Sequence, residues 1–490
     1  MSTPQSPAQP AARTGAVVAT LAFAGTTAAI MQTLVTPLIA ELPQILDTSA
    51  SNSAWVITVT LLVAAVCVPI VGRLGDLVGK RLMLLACTFP LIAGSVVCAL
   101  ASSVVPMIVG RGLQGMGMGM IPLGIALLRD VVPAERLSGS IALVSASMGI
   151  GGGLGLPIAS AVAQYANWRV LFWGSAVLAA IIMVLVWRFI PATPPGAKGQ
   201  RFDFLGAIGL AIGLVCLLLG ISKGADWGWG SATTVGLLVT AVAVLLAWGF
   251  YETRTTEPLV DLRTTARPRV LLTNVASIFI GIGMYAQMLV FPQLLQLPEA
   301  TGYGLGQTML AAGLWMAPAG IVMMVVSPIG GKLIDRRGPK TALVLGAVIL
   351  AAGYGLTQFL MGSALGLMVS GLVISTGVAF AYGSMPALIM RAVPQSETAA
   401  ANGFNTLMRS LGTTIGAAVI GVVLAQMTTS FGPVALPSED GFRVALLIGG
   451  AVALLSAIVA ATIPSTPAGR GNESVTLSVK PEDAVAESSH

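Results

Sequence analysis

Long apolar runs separated by short polar breaks dominate the chain. Cutting at charge clusters, Pro/Gly turns and polar breaks leaves fourteen runs. In the first half they lie near 17–42, 54–72, 82–101, 104–128, 138–163 and 170–190. A central pair follows near 204–222 and 233–251, and the second half gives 270–296, 306–329, 341–361, 365–390, 399–427 and 443–463. A helix of about 20 apolar residues spans the hydrocarbon core of a bilayer. The pattern therefore predicts an all-α integral membrane protein with fourteen transmembrane helices.

Composition supports lipid as the main solvent. Of 490 residues 56% are hydrophobic and only 9% charged, against roughly a quarter charged in soluble proteins. The single histidine, His490, is the last residue, which argues against a His-based metal site or a His-driven triad. Cys67, Cys87, Cys98 and Cys216 fall singly in apolar runs and read as buried thiols rather than a disulfide framework. No P-loop, nucleotide fingerprint, zinc motif or extramembrane catalytic domain is present. No enzyme activity, cofactor or nucleic-acid partner is expected, and the chain is expected to work as a monomer in the bilayer.

Charge sets the orientation. With the N-terminus inside, the inner loops carry seventeen Lys and Arg, whereas the outer loops carry only Arg169, Lys223 and Arg443. The positive-inside rule then places both termini in the cytoplasm, here of a bacterial plasma (inner) membrane. Residues 1–16 read as a cytoplasmic tail before a retained first helix, and 464–490 as a disordered cytoplasmic tail.

An internal duplication organises the rest. Gly72-Arg-Leu-Gly-Asp76-Leu-Val-Gly79-Lys80-Arg81 recurs as Gly331-Lys-Leu-Ile-Asp335-Arg-Arg-Gly338-Pro-Lys340, each after the second run of its half. The division is an N-terminal six-helix bundle at 17–190, a linker with two additional helices at 191–269, and a C-terminal six-helix bundle at 270–463. Such parallel repeats place a substrate site between the halves at mid-depth.

At this loop the sequence resembles the major facilitator superfamily, whose signature after helix 2 is G-x-x-x-D-R-x-G-R-K/R. Fourteen spans narrow the resemblance to its 14-helix drug:proton antiporter branch. Arg111-Gly-Leu-Gln114-Gly115-Met-Gly117 is similar to the helix-4 segment R-x-x-Q-G-x-G, and Trp168-Arg169-Val-Leu-Phe172 to the W-R-x-x-F entry to helix 6. Phe404-Asn405-Thr-Leu-Met-Arg409-Ser-Leu-Gly412 resembles the helix-13 segment F-N-x-x-R-x-x-G. The resemblance covers 17–463. Two departures stand out. The helix-1 aspartate position falls at Leu34, or Met31 in another register, although Leu42-Pro43-Gln44-Ile45 is kept. The helix-5 antiporter segment G-P-x-x-G-G survives only loosely around Gly151, Gly155 and Pro157.

The resemblance implies a cytoplasmic gate of Gly72, Asp76, Gly79, Lys80, Arg81, Asp130, Gly331, Asp335 and Gly338. Asp76 would meet the N-terminus of a helix from the other half, where the dipole favours an anion. Pro339 at the Lys80 position predicts a weaker second latch. Coupling to protons needs a carboxylate that titrates in a partly desolvated place, which points to Glu41 first and Asp130 second, with Arg111 as a further candidate. Arg111, Arg409, Gln32, Gln114 and Asn405 are embedded polar residues, of the kind that usually face a cavity or a partner. Soft and aromatic cavity candidates are Met116, Tyr285, Met288, Trp315, Phe380, Tyr382 and Met408, a set suited to bulky amphipathic compounds. The leading expectation is proton-driven export of drugs, antibiotics or other amphipathic compounds. The alternative keeps the fold but carries one defined metabolite or natural product, with another coupling ion or direction.

Overall fold

The computed structural model describes residues 11–38, 42–197, 199–431 and 434–464. Glu41 and the distal parts of both tails lie outside the described residues. Thirteen of the described helices are long and apolar enough to cross a membrane. In chain order with one interrupted rod, they are α1 (Ala11–Thr33), α2 (Ala50–Val78), α3 (Lys80–Leu100), α4, α5 (Ala134–Tyr165) and α6 (Arg169–Phe189). The interrupted rod α4 comprises Val104–Met116 and Met120–Val131 joined by one 3-10 turn at Gly117–Gly119, and it makes the fourteenth. The inserted hairpin is α7 (Phe204–Trp227) and α8 (Ala232–Arg254). The second half holds α9 (Pro268–Gln296), α10 (Met309–Arg337), α11 (Pro339–Leu360), α12 (Ala364–Met390), α13 (Thr398–Gln426) and α14 (Glu439–Thr462).

Local chemistry fixes many boundaries. Ser49, Asp203, Ser231, Thr308, Ser363 and Ser438 each accept a first-turn backbone N–H with the side chain, which satisfies donors the helix leaves orphaned. Gly79 (φ 104°) and Gly338 (φ 84°) end α2 and α10 and start the next helix with no further residue between. A side chain is strained at such φ, so this single-residue hinge accounts for the glycine in both copies of the repeated loop. The first apolar run breaks earlier than its hydrophobicity suggests: α1 stops at Thr33, and a 3-10 turn at Thr36–Leu38 takes up Pro37. A short antiparallel hairpin, Thr428–Phe431 with Val434–Pro437, precedes α14. Four-residue strands carry too little period to be read from sequence, and this one is tied down by Ser438 N–H on Met427 O and Tyr303 Oη on Pro437 O.

The halves meet along two related crossings, α2 against α13 and α5 against α10, and the α7–α8 hairpin rests on α2 and α13. We call the end holding the α2–α3 and α10–α11 loops the basic end. Small residues let backbones approach closely at these crossings. Helix α5 carries them on two faces. Gly151 and Gly155 face α1, where a methyl on Gly151 would meet Ala29 Cβ at 2.6 Å. Gly149 and Gly153 face α10, where a methyl on Gly320 would meet Gly149 O at 2.6 Å, and Pro157 abuts Gly313. Gly152, between these faces, has nothing within 4 Å and borders the central cavity.

Gly151→Val should therefore lower the thermal unfolding temperature of the detergent-solubilised protein, by overpacking worth about 1–3 kcal/mol. Gly152→Ala should leave it unchanged or slightly higher, because Ala favours a helix by about 1 kcal/mol over Gly. Equal melting shifts for the two would contradict this packing account.

Candidate functional site

At the basic end the two halves are joined by a network centred on Asp76. Its residue is fully buried. Asp76 Oδ2 accepts from Ala399 N (3.0 Å) and Ala400 N (2.9 Å), and Oδ1 from Ala399 N (3.2 Å). Helix α13 starts at Thr398, so both donors belong to the first turn and have no partner within their own helix. A carboxylate here satisfies them and meets the positive end of the helix dipole. Gly72, one turn earlier on α2, allows the approach: a methyl there would meet Ala399 O at 2.5 Å.

Lys80 Nζ lies 3.9 Å from Asp76 Oδ1 and 2.5 Å from Asp130 Oδ2. Asp130 in turn accepts from Gln395 Nε2 at 3.1 Å. Its neighbour Arg129 donates to Thr398 Oγ1 (2.8 Å) and Val393 O (3.2 Å). The start of α13 and the connection before it are thus held from α2 and α4, with Lys80 of α3 between the two carboxylates. Arg129 and Gln395 were absent from the sequence-based gate. Arg129 reads there only as one of many inner-loop bases, and Gln395 carries no charge to signal it. The Pro-rich linker also joins in, for Ala197 N donates to Asp76 O at 3.0 Å and Arg73 Nη2 to Gln200 Oε1 at 2.9 Å. Arg81, expected in the gate, donates instead to Trp187 O on α6 and ties only the first half together.

The second copy of the loop is built differently. Gly331 again permits a close crossing, with a methyl there 2.7 Å from Gly139 Cα. Asp335, however, is exposed and makes no hydrogen bond or ion pair among the described residues. The reason is the length of α5. It starts at Ala134, so the residue facing Gly331 lies inside the helix, where backbone N–H groups already bond within it. The expected weaker latch thus has a second cause beside Pro339.

The embedded arginines also differ. Arg111 is 1% exposed and donates to Val56 O (3.2 Å), Met31 O (3.0 Å) and Gln114 Oε1 (2.7 Å). Gln114 passes the network on to Ser95 Oγ at 2.8 Å. Arg111 therefore clamps α1, α2 and α4 inside the first half and does not border the central cavity, although it was expected to serve coupling. Asn405 Nδ2 donates to Asn274 Oδ1 and Ser277 Oγ, each at 2.8 Å, and so locks α13 to α9. Arg409 makes no side-chain hydrogen bond among the described residues; its guanidinium lies 4.4 Å from the Tyr382 ring centroid.

A cavity of about 300 Å³ lies between the halves, bordered by α1, α5, α9, α10 and α12. Its wall includes Gln32, Met148, Gln287, Met288, Met316 and Tyr382, and carries no charged side chain among the described residues. Of the cavity candidates, Met288 and Tyr382 line it, while Trp315 borders a small neighbouring pocket and bonds Gln307. The others are displaced for identifiable reasons. Met116 does not line the cavity and is 42% exposed. Phe380 fills the space beside Gly330 on α10, Tyr285 packs at Gly416 on α13, and Met408 joins the cluster under the inserted hairpin. A residue on a facing helix can point away from the cavity, and periodicity alone does not fix that rotation.

Two related halves and a cavity between them agree with what similarity shows. A model of the Major Facilitator Superfamily matches residues 21–417. The chain belongs to that superfamily. It is accordingly a multi-pass secondary transporter of small molecules and not an enzyme. Among its relatives, the "Multidrug transporter protein MdtP" of Bacillus subtilis is 26% identical over 390 residues, covering 76% of this chain and 69% of the relative. The "Multidrug resistance protein B homolog" of Mycobacterium tuberculosis is 28% identical over 411 residues, covering 79% and 73%. Among solved structures, the human organic anion transporter MFSD10 (TETRAN) superposes with a TM-score of 0.65 at 16% identity, over 92% of this chain and 100% of that one. The proton:xylose symporter XylE gives 0.64 at 14% identity, over 93% and 97%. These two likenesses show the major facilitator fold alone.

The asymmetry of the two loops makes a direct prediction. Asp76→Asn removes the charge from a buried helix N-terminus and should destabilise the purified transporter by about 1–3 kcal/mol. Asp335→Asn, at an exposed position, should stay within about 0.5 kcal/mol. Thermal or denaturant unfolding of the two variants side by side checks this, and equal losses would contradict it.

Proposed function

We propose that this major facilitator protein exports amphipathic compounds, drugs or antibiotics among them, across a bacterial plasma membrane in exchange for protons. The observation that carries the reading is the cavity, whose wall of Met, Gln and Tyr side chains suits bulky, partly apolar guests. Soft side chains repack around different shapes, and a few amides orient a guest without selecting one. Similarity to bacterial proteins named as multidrug transporters supports the same reading. The basic end is taken as cytoplasmic by the positive-inside rule. In this state the gate there is closed, and release of the Asp76 and Asp130 contacts would open the cavity inward. Asp130 is the proposed proton carrier among the described residues, since protonation would cost it the Lys80 pair. The chain is proposed to work as a monomer.

Inverted membrane vesicles energised to an inside-acid gradient should accumulate a fluorescent amphipathic dye, and a protonophore should abolish the accumulation. Uncoupler-insensitive accumulation would defeat proton exchange, and export of dye from energised vesicles would reverse the direction. Asp130→Asn should lower proton-driven uptake at least tenfold while leaving gradient-free exchange measurable. Full activity in that variant would remove Asp130 from the coupling step.

A further inference from the structure

Below the main cavity, towards the basic end, lies a small niche of mixed polar and apolar lining, of about 10 Å³, the size of one water site. It is bordered by both halves: Ser145 and Met148 on α5, Tyr382 on α12, and Asn402, Thr406 and Arg409 on α13. Tyr382 and Met148 also border the main cavity, so the tyrosine ring stands as a partition between the two spaces. Three polar groups border the niche with few partners or none among the described residues. Arg409 is 8% exposed, carries a full charge at mid-helix, and has only the face of Tyr382 as a partner among the described residues. Ser145 Oγ, in a residue 2% exposed, has no hydrogen-bond partner among the described residues. Asn402 Oδ1, in a residue 2% exposed, likewise has no donor.

Buried polar groups are nearly always paired, and a cation in a membrane interior is expensive. By contrast, the other deeply embedded arginine, Arg111, has three acceptors. A guanidinium presents a planar fork matched to a carboxylate, and a hydroxyl across from it can donate a further bond. We propose that the niche receives one oxygen of the carboxylate head of an amphipathic substrate whose apolar body fills the cavity above Tyr382. This inference rests on the reading of that cavity as the substrate site, and it narrows the substrate class to amphipathic organic anions. The carboxylate takes Arg409 from the Tyr382 ring face, Ser145 Oγ donates to it from the other half, and the guanidinium keeps donors to spare for Asn402 Oδ1. A head group held by both halves sits where alternating access pivots.

The test is binding to the purified full chain by calorimetry, which needs no proton gradient. The probes are naphthalene-1-acetate, the neutral naphthalene-1-acetamide and plain acetate. The acid should bind at least tenfold more tightly than the amide. Arg409→Gln should erase that preference and Arg409→Lys should keep part of it. Ser145→Ala should weaken the acid severalfold while leaving the amide unchanged. If Arg409→Gln does not fold, the Lys and Ser145 variants carry the test. Equal binding of acid and amide to the unaltered chain, or a preference that survives Arg409→Gln, would overturn the proposal. Acetate competing as strongly as the aromatic acid would also overturn it, by showing a site for a free small anion. Anion preference without gradient-driven dye movement would instead sink the export reading and leave this one standing.

Discussion

A buried carboxylate set on the end of a helix from the other half is the constraint on which the closed basic end depends. Asp76 has no access to water in this state, and its partners are the N–H groups of Ala399 and Ala400 at the start of α13. An ionised carboxylate is stable in such a place only with its hydrogen bonds complete, so the geometry of the α2–α13 crossing is fixed to within the reach of those bonds. Everything at that end follows from the fit. Gly72 must be small, α13 must begin at Thr398, and the α12–α13 connection must lie where Arg129 and Asp130 can hold it. The same contact suits a reversible gate. Opening returns the carboxylate to water, and the hydration regained offsets much of the bonding lost. A hydrophobic seal of equal area would have no such compensation.

Duplication gave the two halves one loop but not one contact. Both copies keep the glycine hinge and the close crossing, while the aspartate finds free helix-end donors in only one of them. The difference comes from where the partner helix starts. Helix α13 begins opposite Asp76, whereas α5 runs on past the matching point and leaves no unpaired N–H for Asp335. The two crossings thus have related backbones and different energies, with the costly polar contact placed on the α2–α13 side, where the linker and the inserted hairpin also pack.

Much of this was legible in the sequence, and the limits have physical causes. Apolar run length reports spans directly because the bilayer sets it, and the repeated loop marked the halves and Asp76. The sequence placed charges by depth but not by direction around a helix. Arg111 and Arg409 looked alike as embedded bases, yet one turns into the packed first half and the other towards the second half's face of the interface. Phe380 and Met408 point elsewhere than the cavity for the same reason, since depth along a helix does not fix which way a side chain turns around it. The broken α4 and the short strand pair before α14 depend on tertiary neighbours, which local pattern does not contain.

The contrast between the two arginines bears on how the molecule divides its polar groups. Arg111 spends its donors on carbonyls and an amide of its own half, so its charge stays with that half as a rigid body whichever way the cavity faces. Asn405 does the same in the other half through Asn274 and Ser277. Arg409 and Ser145 are left uncommitted across the boundary, one on each side. Groups bonded within a half stabilise it in every state and cannot respond to a substrate. Groups left unsatisfied between the halves, by contrast, have differential free energy to offer a ligand in one arrangement over another. The proposed substrate contacts are therefore drawn from groups whose bonds the fold leaves incomplete, while the contacts at the basic end act through bonds made between the halves.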